Sequence, residues 1–128
     1  MKHFHTAISV HDLQKSRAFY ETVLELKLKT QGKRPELGIE FISLEDERGS
    51  AVELIKHDNP LPLADDPMNF QTVGFKHIAF VVENIEKVLE KAISNGAKVI
   101  WPPRKGVVVK RLAFFSDPSG LPVEIVEV

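Results

Sequence analysis

Two stretches of the chain recur in the same order. "HTAISVHDLQK" from His5 and "HIAFVVENIEK" from His77 share the pattern His-x-Ala-x-x-Val-x-Asp/Asn-Leu/Ile-x-Lys, 72 residues apart. "DERGSAVELI" from Asp46 and "DPSGLPVEIV" from Asp117 share Asp-x-x-Gly-x-x-Val-Glu-Leu/Ile-Ile/Val, 71 residues apart. Self-similarity at a fixed offset marks one supersecondary unit used twice. Whatever fold the chain adopts must therefore be built from two copies of the same piece.

Each copy reads as β-α-β-β-β, an α+β arrangement. Residues 4–10 and 75–82 are strand-like, and Asp12 and Asn84 then stand where helix N-caps belong. In the second copy Ile85, Val88, Leu89, Ala92 and Ile93 fall at helical spacing, with Gly96 as the stop. In the first, residues 13–24 carry a broader stripe of Leu13, Phe19, Tyr20, Val23 and Leu24. Three strand candidates follow each helix: residues 26–30, 39–44 and 51–56, then 98–101, 110–115 and 122–127. "HDNPLPLADDPMNFQTVG", rich in Pro, Asp and Asn, reads as the joining loop, which gives modules 1–58 and 74–128 with linker 59–73 in a single domain. Strand alternation sets His5, Ala7 and Ser9 on one face and Thr6, Ile8 and Val10 on the other, so the second face packs on the helix.

Composition narrows the partners. Seventeen basic against eighteen acidic residues, without a basic stripe, point away from nucleic acid and anionic membrane and toward a small molecule. With no cysteine there is neither disulfide nor thiolate metal site, and no long apolar run suggests a signal peptide or membrane span. A cytoplasmic location is expected.

The repeat also filters the candidate chemistry. His3, His11 and His57 align with Phe75, Glu83 and Val128, whereas His5 aligns with His77 and Glu53 with Glu124. A pseudo-twofold relation between the copies would bring the four together, and two facing carboxylates repel unless a cation lies between them. Imidazole and carboxylate donors suit one divalent ion, zinc or nickel first, with manganese, cobalt and iron as alternatives. His3 and His5 form a competing metal pair. Arg104, Lys105, Lys110 and Arg111 form a basic cluster suited to an anionic group of a substrate, Lys105 and Arg104 foremost. Trp101, Phe41 and Phe114 are assigned to the core, and Glu127, aligned with Lys56, to solvent.

These segments, "HTAISVHDLQKSRAFY", "AVELI", "KHIAFVVENIEK" and "DPSGLPVEIVE", resemble the vicinal oxygen chelate superfamily along nearly the whole chain. The His, Glu, His, Glu order is similar to that of the glyoxalase I (lactoylglutathione lyase) family within it. The resemblance implies the glyoxalase/bleomycin-resistance/dihydroxybiphenyl dioxygenase fold: paired modules forming an eight-stranded open cleft. It implies a metal bound by His5, Glu53, His77 and Glu124, and isomerisation of a methylglyoxal–thiol hemithioacetal through an enediolate, with Glu124 as principal base and Glu53 as its partner. It also implies a homodimer, with the site either within one chain or shared. The superfamily holds epimerases, dioxygenases and non-catalytic binding proteins as well, and those readings stay open. The chain departs from the glyoxalase I pattern at Ser9 and His57, where Arg and Asn help to hold glutathione, so the thiol is open too. It departs again at Glu25, where the family favours Gly; the glutamate either strains a left-handed helix stop by about 1 kcal/mol or alters its geometry.

Overall fold

The first copy runs β1 (His5–Ser9), α1 (Leu13–Leu24), β2 (Lys27–Arg34), β3 (Ile39–Glu45) and β4 (Ala51–His57). The second runs β5 (Ile78–Val81), α2 (Ile85–Ser94), β6 (Val99–Lys105), β7 (Arg111–Ser116) and β8 (Pro122–Glu127). This is a computed structural model describing residues 1–128. It divides into two units, Met1–Leu61 and Pro62–Val128. Each holds one four-stranded mixed sheet, ordered β1-β4-β3-β2 in the first unit and β5-β8-β7-β6 in the second. No helix is long and apolar enough to cross a membrane.

Both helices begin on the residues expected to cap them. Asp12 accepts the Lys15 N–H at 3.0 Å and Asn84 accepts that of Lys87 at 2.9 Å, each satisfying an N–H that has no partner inside the helix. α1 buries Leu13, Ser16, Phe19, Tyr20 and Val23, a stripe at helical spacing, against its own sheet. Ile8, Ile42, Leu44, Val52 and Leu54 from the sheet complete that core. α2 buries a narrower stripe, Ile85, Leu89 and Ala92; Ile93, expected on it, is 54% exposed. α1 stops at Glu25, which holds φ 57 and is the one residue other than glycine with positive φ. The strain expected there from sequence is thus present in the backbone.

The repeated Asp-x-x-Gly has a local cause. Oδ1 of Asp46 accepts the N–H groups of Arg48 and Ser50 at 2.9 and 3.0 Å. Oδ1 of Asp117 accepts those of Ser119 and Leu121 at 2.9 and 2.8 Å. Gly49 and Gly120 take φ 81 and 86, which a side chain would resist. The motif is a hairpin turn, closing β3 onto β4 and β7 onto β8, and it sets the register of the strand that carries each glutamate.

Two strands outrun their sequence limits. β2 reaches Arg34 and β6 reaches Lys105, because pairing with β3 and β7 supplies order that their exposed polar residues do not signal.

Candidate functional site

In the first unit β1 lies parallel to β4 with Ala7 opposite Glu53; in the second, β5 lies parallel to β8 with Ala79 opposite Glu124. Residues opposite in register project to the same side, and a strand repeats every two residues. His5, two residues before Ala7, therefore shares a sheet face with Glu53, and His77 stands two residues before Ala79, which shares a face with Glu124. Both pairs lie on the face turned away from the helix. His5, Ala7 and Ser9 are exposed, while Ile8 and Val10 are buried, as strand alternation required.

In the second unit the pair is in contact. His77 Nε2 stands 3.1 Å from Glu124 Oε2, with side chains 31% and 15% exposed. The other ring nitrogen, Nδ1, is buried without a hydrogen-bond partner. A separation of 3.1 Å suits a hydrogen bond, and it equally suits two ligands at right angles on an ion with bonds of about 2.1 Å. The donor types and this spacing fit a borderline divalent metal. In the first unit His5 is exposed and lies 5.4 Å from the Phe4 ring, while Glu53 is half-buried; no hydrogen bond joins them. Neither unit by itself gathers three or more His, Asp or Glu side chains into a metal-holding group.

The competing histidine pair is not formed as expected. His3 lies outside β1, and its nitrogens are taken by Ser50 Oγ at 2.7 Å and Thr6 Oγ1 at 3.1 Å. His57 Nδ1 accepts the Asn59 N–H at 2.9 Å. The basic cluster is divided. Arg111 is bonded to Glu86 and reaches Glu127 at 3.5 Å, so its charge is already answered, while Arg104, Lys105 and Lys110 are exposed. The bond from Arg111 holds the Glu86 carboxyl below its usual range and raises the guanidinium's own value.

Two sequence readings need correction. Glu127 is not merely solvated: Oε1 accepts the Ile85 N–H at 3.0 Å, capping the start of α2, while Oε2 meets Arg111. Trp101, expected in the core, is only half-buried, whereas Phe114 is buried as expected, at 3% exposed. Trp101 stands opposite Phe114, and Phe114 opposite Glu124, so the three form a row on the Glu124 face. Phe114 packs edge-on to His77 at 5.0 Å and to Trp101 at 4.9 Å, and Trp101 meets Phe70 at 6.2 Å. Phe41, two residues from Ser43, which stands opposite Glu53, likewise lies on the glutamate face of its own sheet. A signal for the row existed in the sequence: Phe114 and Phe115 are neighbours on a strand and cannot both face the helix.

The model of the Glyoxalase/Bleomycin resistance protein/Dioxygenase superfamily matches residues 2–125. The chain belongs to this superfamily. It is 32% identical over 132 residues to lactoylglutathione lyase of Escherichia coli O157:H7, covering 99% of this chain and 93% of that one. It is 28% identical over 123 residues to the uncharacterized protein YwkD of Bacillus subtilis, covering 96% and 94%. Among solved structures it is similar to the trypanothione-dependent glyoxalase I of Leishmania major, with 25% identity, a TM-score of 0.78, and coverage of 99% and 86%. Glyoxalase superfamily relatives thus span nearly the whole chain, and the match takes in both histidines and both glutamates of the repeat.

Proposed function

We propose that this superfamily member is a metal-dependent lyase or isomerase of glyoxalase I type. It moves a proton between neighbouring carbons of an α-oxygenated, hemithioacetal-like adduct of methylglyoxal and a thiol. The observation that carries the reading is the contact of His77 with Glu124 on an accessible sheet face, recurring as the His5 and Glu53 placement in the first unit. Relatives named lactoylglutathione lyase support it.

His5, Glu53, His77 and Glu124 are the proposed ligands of a divalent ion, zinc or nickel best matching imidazole and carboxylate. That ion, when bound, supplies Lewis-acid stabilisation of negative charge developing on the substrate's adjacent oxygens. Glu124 is the proposed base, since a carboxylate on an accessible face can take and return a proton within hydrogen-bond reach, and Glu53 is its partner. His77 orients Glu124 through the contact at 3.1 Å. Phe114, edge-on to His77, limits water on that side.

The thiol differs from glutathione or is held differently. Ser9 offers no cation where the resemblance expects arginine, and His57 turns a ring nitrogen to its own loop. A solved relative described as trypanothione-dependent supports a change of thiol within one fold. We further propose a homodimer, which light scattering on purified protein checks. The deciding experiment is turnover of methylglyoxal with a panel of thiols on chelated protein refed with single metals. Thiol-dependent, metal-restored isomerisation supports the reading; protein that takes up no metal and turns over no adduct rules it out.

A further inference from the structure

Two strands from Glu124, β6 breaks the regular alternation of its sheet. Trp101 stands opposite Phe114 and Arg104 opposite Leu112, so β6 advances three residues while β7 advances two. The extra residue falls at Pro102–Pro103, where a regular ladder would lack donors in any case. Without this bulge Arg104 would face the side opposite to Trp101. With it, Arg104 joins Trp101, Leu112, Phe114 and Glu124 on one face. Its guanidinium lies over the indole, 4.9 Å from the ring centroid.

The charge of Arg104 is otherwise unanswered. Arg111 meets Glu86 and Glu127, but no carboxylate pairs with Arg104, which is exposed. Stacking occupies the flat side of a guanidinium and leaves its N–H edge for planar, bidentate contact with a carboxylate. The first unit serves as an internal control. Trp101, Arg104 and Phe114 align with Thr30, Lys33 and Ser43, and Lys33 lies 3.8 Å from Glu40. The shared fold therefore does not require an aromatic row ending in a free guanidinium; only the second copy has one.

We infer that Arg104, held on Trp101, is a specificity-determining residue that binds a carboxylate on the thiol part of the substrate. The apolar portion of the adduct runs along the half-buried Trp101 toward Glu124, with the buried Phe114 packed beneath. Two strand spacings, about 10 Å, separate the backbone of Trp101 from that of Glu124, so the carboxylate sits on the order of 10 Å from the reacting carbons. A small thiol without a distal acid does not reach. The inference rests on the proposed reaction for the identity of the reacting end, but its test needs neither metal nor turnover.

Trp101 is the one tryptophan of the chain, so fluorescence excited where Tyr20 does not absorb reports from this place alone. The full chain is titrated with benzylthioacetic acid beside its ethyl ester and with glutathione beside its diethyl ester, in which both carboxylates are blocked. The acids are expected to change Trp101 emission saturably, with the esters at least tenfold weaker. Arg104→Gln weakens binding of the acids at least tenfold and leaves the esters unchanged, and Arg104→Lys, which keeps charge but loses the fork, recovers only part. No saturable change with either acid, equal binding of acid and ester, or unaltered acid binding in Arg104→Gln would overturn the assignment. A failure of metal uptake or an active Glu124→Gln protein would instead strike the reaction itself and leave these titrations as they stand.

Discussion

His77 Nε2 lies 3.1 Å from Glu124 Oε2, while Nδ1 of the same ring is buried without a partner. A metal-bound histidine ordinarily donates its second nitrogen to a neighbouring acceptor. In this unit the His77 ring packs edge-on against Phe114.

Replacing the carboxylate by its amide tests this pair. Glu124→Gln preserves shape and is expected to keep the native circular dichroism spectrum. Turnover falls on the order of 10²- to 10⁴-fold, the usual size of a lost general base. Metal content, measured by elemental analysis after chelation and refeeding, falls as well. Native turnover in the variant would remove Glu124 from the chemistry.

The two Asp-x-x-Gly turns are alike in bonding but not in burial. Asp117 is 4% exposed, whereas Asp46 is half-buried. Asp117→Ala strands two N–H groups away from water and is expected to cost about 2–3 kcal/mol, with Asp46→Ala costing about 1 kcal/mol. Urea denaturation reads both, and Asp117→Asn, which keeps the Oδ1 acceptor, should recover most of the loss.

Glu25 ends α1 in a left-handed conformation that a Cβ disfavours. Glu25→Gly relieves that strain, offset in part by greater freedom of the unfolded chain, for a net gain of about 0.5–1 kcal/mol. A raised denaturation midpoint at unchanged slope is the expected result; a lowered midpoint would mean that contacts of the Glu25 side chain outweigh the strain.

Acid should loosen one surface pair before the core. Arg111 holds the Glu86 carboxyl below its ordinary range by a direct hydrogen bond. A carboxyl depressed in the folded state contributes stability above its unfolded value and loses it as pH falls through the folded one. The native melting temperature is therefore expected to drop more steeply than that of Glu86→Gln below about pH 4.5, by a small margin because the pair is solvated. Glu127→Ala removes a second partner of Arg111 together with the acceptor for Ile85, and is expected to cost about 1–2 kcal/mol at neutral pH.

Much of this was legible because the signals are local. Asp12 and Asn84 announce their helices through side-chain oxygens that act three residues away. The placement of each His with its Glu follows from the two-residue period of strands once the repeat is aligned. The exposed strands β2 and β6 were harder to delimit, since hydrogen bonds to a neighbour hold them rather than their own residues. Glu127 was misread for a related reason: its partners, Ile85 and Arg111, lie 42 and 16 positions back, and Lys56, which aligns with it, offers no acceptor. The bulge at Pro102–Pro103 was invisible too, because alternation read through it sends Arg104 to the wrong side.

That same proline pair has a consequence for the life of the protein at high concentration. β6 is the outermost strand of its sheet, a place where a second molecule can add its own strand and begin a fibril. Two successive residues there have no N–H to offer, and the kink they sit in departs from the flat ladder an incoming strand needs. The substitution Pro103→Val, harmless on paper to a surface strand, would restore a donor to that rim and open a route to aggregation.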